Sequence, residues 1–275
     1  MFVAIPEPFD FSQTIARVGA LGADRVNVID GERLVRAFAG RAVSARPVAG
    51  GISVDHDEPA VTRMFSHVLG ATFDLAGFER QVSSDAVLEK LLASLRGMRP
   101  FLVPDPFEMI VSAITAQQIS LHAALAVRNR FVERFGRQHG LVYAFPTAAG
   151  VADVQVSELR DLGFSRSKAR FVLEIAASDL DLSALAGLSD ADVVETLTDL
   201  PGVGRWTAEW FLARHLGRED VWPAGDLAVR RALERFYTGG EPVDETRARV
   251  LGERFAPNRT LACAYLLAGL KLNRE

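Results

Sequence analysis

Leu197-Thr198-Asp199-Leu200-Pro201-Gly202-Val203-Gly204-Arg205-Trp206-Thr207-Ala208 is the stretch that decides the fold. A helical pattern ends near Leu197 and another begins near Arg205. Pro201 stops the first helix, because it has no N–H and its ring clashes with the preceding turn. Gly202 and Gly204 allow positive φ and leave no Cβ in the way. The backbone N–H groups at the start of the second helix then point outward, toward any anion placed there. A phosphate held in this way is gripped without its base being read. Pro-Gly-x-Gly alone describes any tight helix–helix turn. Here leucines precede it, the two glycines are one residue apart, and Thr207-Ala208 follow in order.

Working outward, the chain reads as helical from about Ser84 onward. Val87, Leu88, Leu91, Leu92 and Leu95 form one apolar face. Asp105-Pro106-Phe107-Glu108 is a helix start, with Asp105 as cap, Pro106 at the first helical position and Glu108 completing a capping box. Phe107, Ile110, Val111 and Ile114 follow at helical spacing, and Gln117-Gln118 end that helix. Val127, Phe131 and Phe135 make the next stripe, and Phe171 and Ile175 mark a later one. Ser189 and Asp192 form another capping box, with Leu188 and Val193 as its hydrophobic staple. Before Ser84 the texture differs. Arg33–Phe38 and Ile52–His56 alternate, and Asp30-Gly31 is a hairpin signal, so a small antiparallel sheet is expected. Helices near Ser12–Leu21 and Pro59–Leu69 flank it. The fold class is therefore α+β: a small α/β unit over residues 1–85 and an all-helical body over residues 86–275 in two subdomains with a cleft between them. The boundary falls between about 70 and 100.

The 275 residues are 49% hydrophobic and 24% charged, the composition of an ordinary globular chain. No apolar run approaches the roughly 20 residues that span a bilayer. Met1-Phe2-Val3-Ala4-Ile5-Pro6-Glu7 lacks the basic start and apolar core of a signal peptide, so a cytoplasmic location is expected. One cysteine, Cys263, excludes an internal disulfide and a cluster held by four cysteines. It lies in an apolar helical stretch and reads as a small buried hydrophobe. The five histidines form no metal-ligand spacing, so no catalytic metal is expected. A net charge of −4 gives no basic footprint for nucleic acid. Backbone amides and a local basic face can still bind phosphate. Arginines do gather late in the chain, at 205, 214, 218, 230, 231, 235, 247, 249, 254 and 259. Many have acidic neighbours, so a solvated mixed surface explains them equally well.

Leu200–Gly204 with Thr207-Ala208 resembles the signature of the helix-hairpin-helix DNA glycosylase superfamily, named for that hairpin and a following Gly-Pro/Asp loop. Trp222-Pro223-Ala224-Gly225-Asp226-Leu227-Ala228-Val229 stands where that loop is expected. Ile114–Ser120 and Leu162–Ala169 supply further matches. Together they are similar to the 3-methyladenine DNA glycosylase II branch, over about residues 95 to 270. The first part looks more loosely like that branch's N-terminal sheet domain, which resembles half of a TATA-binding protein.

Asp226 precedes a helical stripe of Val229, Leu233 and Phe236. Its spacing alone fits a helix cap as well as a catalytic group. The resemblance implies catalysis. Breaking an N-glycosidic bond develops positive charge on the sugar, and a fixed carboxylate can stabilise that charge and position water. Bifunctional members carry a lysine where Trp206 stands, and that lysine attacks the sugar. An indole cannot, so a monofunctional enzyme that leaves an abasic site is expected. The target nucleotide must leave the stack. Trp206 and Trp210 share a helix face and, by resemblance, line the base pocket with Gln117, Trp222 and Leu227. Their electron-rich faces suit an alkylated, cationic purine. Core packing remains the common fate of any tryptophan, Trp222 above all.

The expected DNA contacts are Gly202, Val203, Gly204, Arg205, Thr207, Gln118 and Ser120, with Gln118 as the wedge that fills the gap. The carbonyls of Thr198, Leu200 and Val203 correspond to a monovalent-cation site, for Na+ or K+, in family hairpins. No cofactor is required. The expected partner is double-stranded DNA with a damaged base, bound by a monomer. Two positions depart from the branch. Asn258 replaces a stacking tryptophan, and Leu227 follows the catalytic Asp where tyrosine is frequent. A related glycosylase for deaminated, ethenated or oxidised bases is thus one alternative, and a non-catalytic damage-sensing protein is another. A binding module needs no carboxylate facing phosphates, which speaks against the second.

Overall fold

The computed structural model describes residues 1–272. Its elements run β1 (Phe2–Ala4), α1 (Phe11–Gly19), β2 (Val28–Asp30), β3 (Arg33–Phe38), β4 (Arg41–Val48), β5 (Gly51–Val54), α2 (Pro59–Val68), α3 (Leu75–Gln81), α4 (Ala86–Ser94), α5 (Pro106–Ala116), α6 (Leu121–Phe135), β6 (Arg137–His139) and β7 (Val142–Ala144). They continue with α7 (Ala148–Val151), α8 (Val156–Asp161), α9 (Arg166–Ala176), α10 (Asp190–Thr198), α11 (Arg205–Phe211), α12 (Leu227–Tyr237), α13 (Glu245–Gly252) and α14 (Arg259–Leu272). The α+β reading holds. β1–β5 form one antiparallel sheet in the order β1-β5-β4-β3-β2, and the β2–β3 hairpin turns at Gly31-Glu32, overlapping the expected Asp30-Gly31. The β6–β7 hairpin was not expected, because the whole segment after Ser84 read as helical. Its turn is carried by Gly140 at φ 61°, a glycine signal standing between residues of no clear period.

Three apolar cores divide the chain. Leu34, Val43, Ala45, Ile52 and Val54 of the sheet pack on Phe65 and Val68 of α2. Ile110, Ile114, Phe131, Val172, Val193 and Phe211 build the central core, from α5 to α11. Phe73, Leu75, Phe78 and Leu88 pack with Leu233, Leu261 and Tyr265, so the third core joins both ends of the helical body. The expected boundary after residue 85 therefore moves toward the N-terminus. α3 buries its apolar face on α14 and not on the sheet, whose own core runs to Leu69, has Ala71 packed against it, and takes in only Phe101 from further along the chain. Buried Arg99 closes the seam by donating to the carbonyls of Gly70 (3.0 Å), Phe73 (2.8 Å) and Pro6 (2.6 Å).

Glu108 shows how the sheet is tied to the body. Its N–H is capped by Asp105 at 2.7 Å, as the sequence suggests. Its carboxylate does not reach back to complete a capping box. It is buried between Arg36 of β3 (2.7 Å) and Arg128 of α6 (2.7 Å), and Arg128 also holds Asp24 at 2.8 Å. Two buried guanidiniums outcompete a single backbone N–H for a carboxylate, because unpaired buried charge is costly. Leu188, the expected staple, is 40% exposed.

A second contact across the same seam titrates. His67 of α2 meets His215 with ring centroids 6.2 Å apart, and the Nδ1 of His215 donates to Val103 O at 2.8 Å. Burial pushes both pKa values below the ordinary 6.5, and in His67 the charge of His215 adds to this. The folded state thus binds fewer protons than the unfolded chain below pH 6.5. The stabilisation is complete above that value and is lost as pH falls below it toward the depressed values. Calorimetry should show a melting midpoint that is flat near pH 7–8 and drops by about pH 5.5. His67→Gln should flatten that drop, and an equally steep drop in the variant would sink the assignment.

Candidate active site and nucleic-acid interface

α10 ends at Thr198 and α11 starts at Arg205, so the decisive stretch is a helix-hairpin-helix. Gly202 has φ 74°, and a Cβ there would lie 2.0 Å from the Phe171 ring. Gly204 differs from expectation. Its φ is −99°, and it serves as N-cap of α11 with an extended ψ of 177°. Its missing side chain leaves the helix end bare, which is what a close approach by a phosphate needs. The apex residues Gly204 and Arg205 are exposed. Val203 is not an outward contact. Its side chain is buried in the central core, and its N–H donates to Leu200 O at 3.1 Å, closing the turn. Thr207 is also corrected. It is 1% exposed, and its hydroxyl oxygen accepts from Gln117 Nε2 at 3.3 Å.

Asp226 takes the helix-cap role that its spacing allowed. It is N-cap of α12, with Oδ1 accepting from Ala228 N (2.8 Å) and Val229 N (3.2 Å). Its Oδ2 accepts from Trp206 Nε1 (2.9 Å) and Trp210 Nε1 (3.0 Å). A carboxylate offers about four lone-pair sites, and four donors fill them here. The group is fixed in place and half-buried, with no in-plane site left for a water. Trp206→Phe and Trp210→Phe each remove one donor, and each should lower the rate of base release about tenfold with little change in melting temperature. Wild-type rates in both variants would show that the indoles do not hold the carboxylate.

Behind Trp210 lies Arg214, four residues on, with its guanidinium 5.2 Å from the ring centroid and donating to Phe101 O at 3.2 Å. The helix widens into a π-turn at Leu212–Leu216, the kind of irregularity that recurs at functional sites. Burial pulls the Arg214 pKa down, against the opposing pull of the Asp226 carboxylate. Cys263 lies close enough to Asp226 to feel it too, and burial pushes its thiol further up, so it stays a neutral small hydrophobe. Glu209 sits between the two tryptophans in sequence, is 6% exposed, and pairs with Arg205 (2.9 Å) and with Arg249 of α13 (3.2 Å). The sequence reading assigned no role to Arg214, Glu209 or Arg249. The i+4 spacing of Arg214 to Trp210 and of Glu209 to Arg205 was the one available signal, and Arg249, forty residues beyond Glu209, carried none.

Trp222 does not join Trp206 and Trp210 at Asp226. It is 4% exposed, donates to Ala248 O at 2.8 Å, and packs on Phe255 with centroids 5.3 Å apart. A Cβ on Gly252 would lie 2.4 Å from its Nε1, so α13 closes over it. Leu227 lies beside Asp226 and is 52% exposed. Gln117, expected in the pocket, instead turns its amide to Gly202 O at 2.9 Å and to Thr207. Gln118 is exposed at φ 55°, in the left-handed region. Ser120 caps α6 through Ala123 N at 3.2 Å. Asn258 donates to Gln81 Oε1 at 2.6 Å, which ties the loop before α14 to α3. Of the late arginines, 205, 218, 247, 249 and 259 are ion-paired, which favours the mixed-surface reading for them.

Among the described residues no group of three or more His, Cys, Asp or Glu could hold a metal ion. Backbone carbonyls are the remaining donors. Thr198 lies in the last turn of α10, where carbonyls lack intrahelical partners. Leu200 O already accepts the Val203 N–H, with one lone pair left over. This donor set fits a weakly held monovalent cation. No described helix is long and apolar enough to cross a membrane.

A hairpin whose second helix starts without a side-chain cap lies beside a carboxylate fixed at a helix N-terminus. The family model for HhH-GPD superfamily base excision DNA repair proteins matches residues 111–257, and the chain belongs to that superfamily. DNA-3-methyladenine glycosylase 1 of Schizosaccharomyces pombe is 33% identical over 194 residues, 67% of this chain and 81% of that protein. A Bacillus subtilis relative is matched over 57% of its own length. The solved 3-methyladenine DNA-glycosylase from Archaeoglobus fulgidus superposes with a TM-score of 0.88 at 30% identity, covering 100% of this chain and 99% of that one. The S. pombe 3-methyladenine DNA glycosylase solved in complex with abasic DNA gives 0.63 at 29% identity, over 72% of this chain and 98% of that one.

Proposed function

We propose that this protein is a monofunctional DNA glycosylase of base excision repair. It hydrolyses the N-glycosidic bond of alkylated purines of the 3-methyladenine and 7-methylguanine type, flipped out of double-stranded DNA, and leaves an abasic site. The observation that carries this reading is the Asp226 carboxylate fixed by Trp206 and Trp210 on one oxygen and by the start of α12 on the other. The reaction needs a negative charge beside a sugar that becomes cationic, and an aromatic wall for the leaving base. With its lone pairs occupied, Asp226 acts through its field and not by deprotonating water. The relatives named for 3-methyladenine support the substrate class, and the neighbour solved on abasic DNA supports the partner. Gln118 is the proposed wedge. A Na+ or K+ ion on the carbonyls of Thr198, Leu200 and Val203 would add positive charge behind the hairpin. The protein works as a monomer.

The test is incubation with oligonucleotides carrying 3-methyladenine analogues, 7-methylguanine, hypoxanthine, ethenoadenine or uracil, followed by alkaline cleavage of abasic sites. Release of an alkylated purine is expected. Release of none would leave a DNA-binding protein without chemistry. Borohydride should trap no covalent adduct, since Trp206 replaces the Schiff-base lysine, and an adduct would refute the monofunctional assignment. The aliphatic Leu227 and the tethered Asn258 make the pocket less aromatic. That favours, as a second reading, a range extending to neutral deaminated or ethenated bases.

A further inference from the structure

The two turns that reach for DNA in this reading are Gln117–Ser120 and Leu200–Gly204, and α9 supports both. Lys168 and Phe171 lie three residues apart on α9, hence on one face. Lys168 Nζ donates to Thr115 O at 2.9 Å and to Gln117 O at 2.6 Å, at the C-terminal end of α5. A cation there also faces the negative end of that helix. The Phe171 ring packs under Gly202 so closely that any Cβ on that glycine would overlap it. Gln117 Nε2 closes the triangle by donating to Gly202 O at 2.9 Å. The next residue, Gln118, holds φ 55°, a conformation that non-glycine residues keep only where their surroundings fix it.

We propose that Lys168 is a positioning residue for nucleotide flipping: it locks the Gln117–Gln118 turn at a set distance from the hairpin, so that backbone grip and insertion into the duplex are one rigid movement. The assignment rests on the glycosylase reading. A wedge matters where a base must be drawn out of a stacked pair, and much less where the strand is already unpaired.

Lys168→Met and Lys168→Arg are compared with wild type on 7-methylguanine, in duplex and in the same strand alone. Lys168→Met should slow single-turnover release from the duplex about tenfold to a hundredfold, the scale of an ångström-level misplacement, at an unchanged half-saturating concentration. Release from the single strand should be unchanged. Lys168→Arg should recover most of the loss, because a guanidinium can also donate to two carbonyls. An equal loss on both substrates would mean a merely structural role, and no loss on the duplex would mean no role; either overturns the proposal. A second measurement needs no base release. Wild type should brighten 2-aminopurine placed beside an abasic-site analogue in a duplex, and Lys168→Met at full occupancy should not. Brightening by Lys168→Met equal to wild type overturns the proposal. If wild type brightens the probe yet releases no base, the glycosylase reading fails while the Lys168 assignment is still decided by the variant.

Discussion

Asp226→Asn should leave DNA affinity nearly intact and reduce base release about a thousandfold. The substitution keeps the shape and removes the charge. A carboxylate about 4 Å from a cationic sugar, at an effective dielectric of about 20, contributes about 4 kcal/mol, which is about a thousandfold in rate. The amide also cannot satisfy its surroundings. Two indole N–H groups face Oδ2 and two backbone N–H groups face Oδ1. Whichever side receives the amide nitrogen sets donor against donor. Loss of the cap should cost about 1 kcal/mol of stability, too little to unfold the protein. Single-turnover assays with enzyme in excess, with binding to abasic DNA measured alongside, test this. Release within tenfold of wild type would mean that another group supports the cationic sugar.

Gly202→Ala should cost both stability and DNA binding, and Gly204→Ala binding alone. At φ 74° an added Cβ meets the left-handed penalty, about 1–2 kcal/mol. It must also displace Phe171, whose Cδ2 would be 2.0 Å away, and overpacking of that kind costs about 1–3 kcal/mol more. The ring belongs to α9, so relief of the clash moves the hairpin away from the turn after α5. Gly204 has φ −99°, and among the described residues nothing lies within 4 Å of its Cβ position. An alanine there fits the free protein and obstructs only an incoming phosphate. Calorimetry and fluorescence anisotropy on abasic DNA separate the two. A Gly202→Ala protein that melts and binds like wild type would refute the account of the hairpin.

Much of this molecule is written locally. Pro201, the glycines, Asp105-Pro106 and Asp30-Gly31 act on neighbouring residues through φ restriction, missing N–H groups and short-range caps, so their effects are readable without a fold. Periodicity likewise fixed which faces of α4, α5 and α9 are buried. The β6–β7 hairpin and the φ of Gly204 are local departures, and the other main misreadings are long-range competitions. Glu108 could cap its own helix, but Arg36 and Arg128 arrive from β3 and α6 and take its carboxylate. Trp222 shares a residue type with Trp206 and Trp210, but α13 folds over it. Gln117 could have faced a base, but the hairpin came within reach of its amide. The residues 73–82 read as part of the first unit because they are close to it in sequence, while their apolar face is buried by α14, nearly two hundred residues away.

The hairpin, the helix start at Asp226 and the paired indoles at positions 206 and 210 were thus determined by the sequence itself, through backbone sterics and helical spacing. Tertiary structure decided which atoms meet: both indole N–H groups on one carboxylate oxygen, Arg214 behind Trp210, and Lys168 under the Gln117–Gln118 turn. Those partners come from helices whose approach is set by packing of the central and C-terminal cores, and packing depends on the summed shapes of many side chains and not on any local pattern.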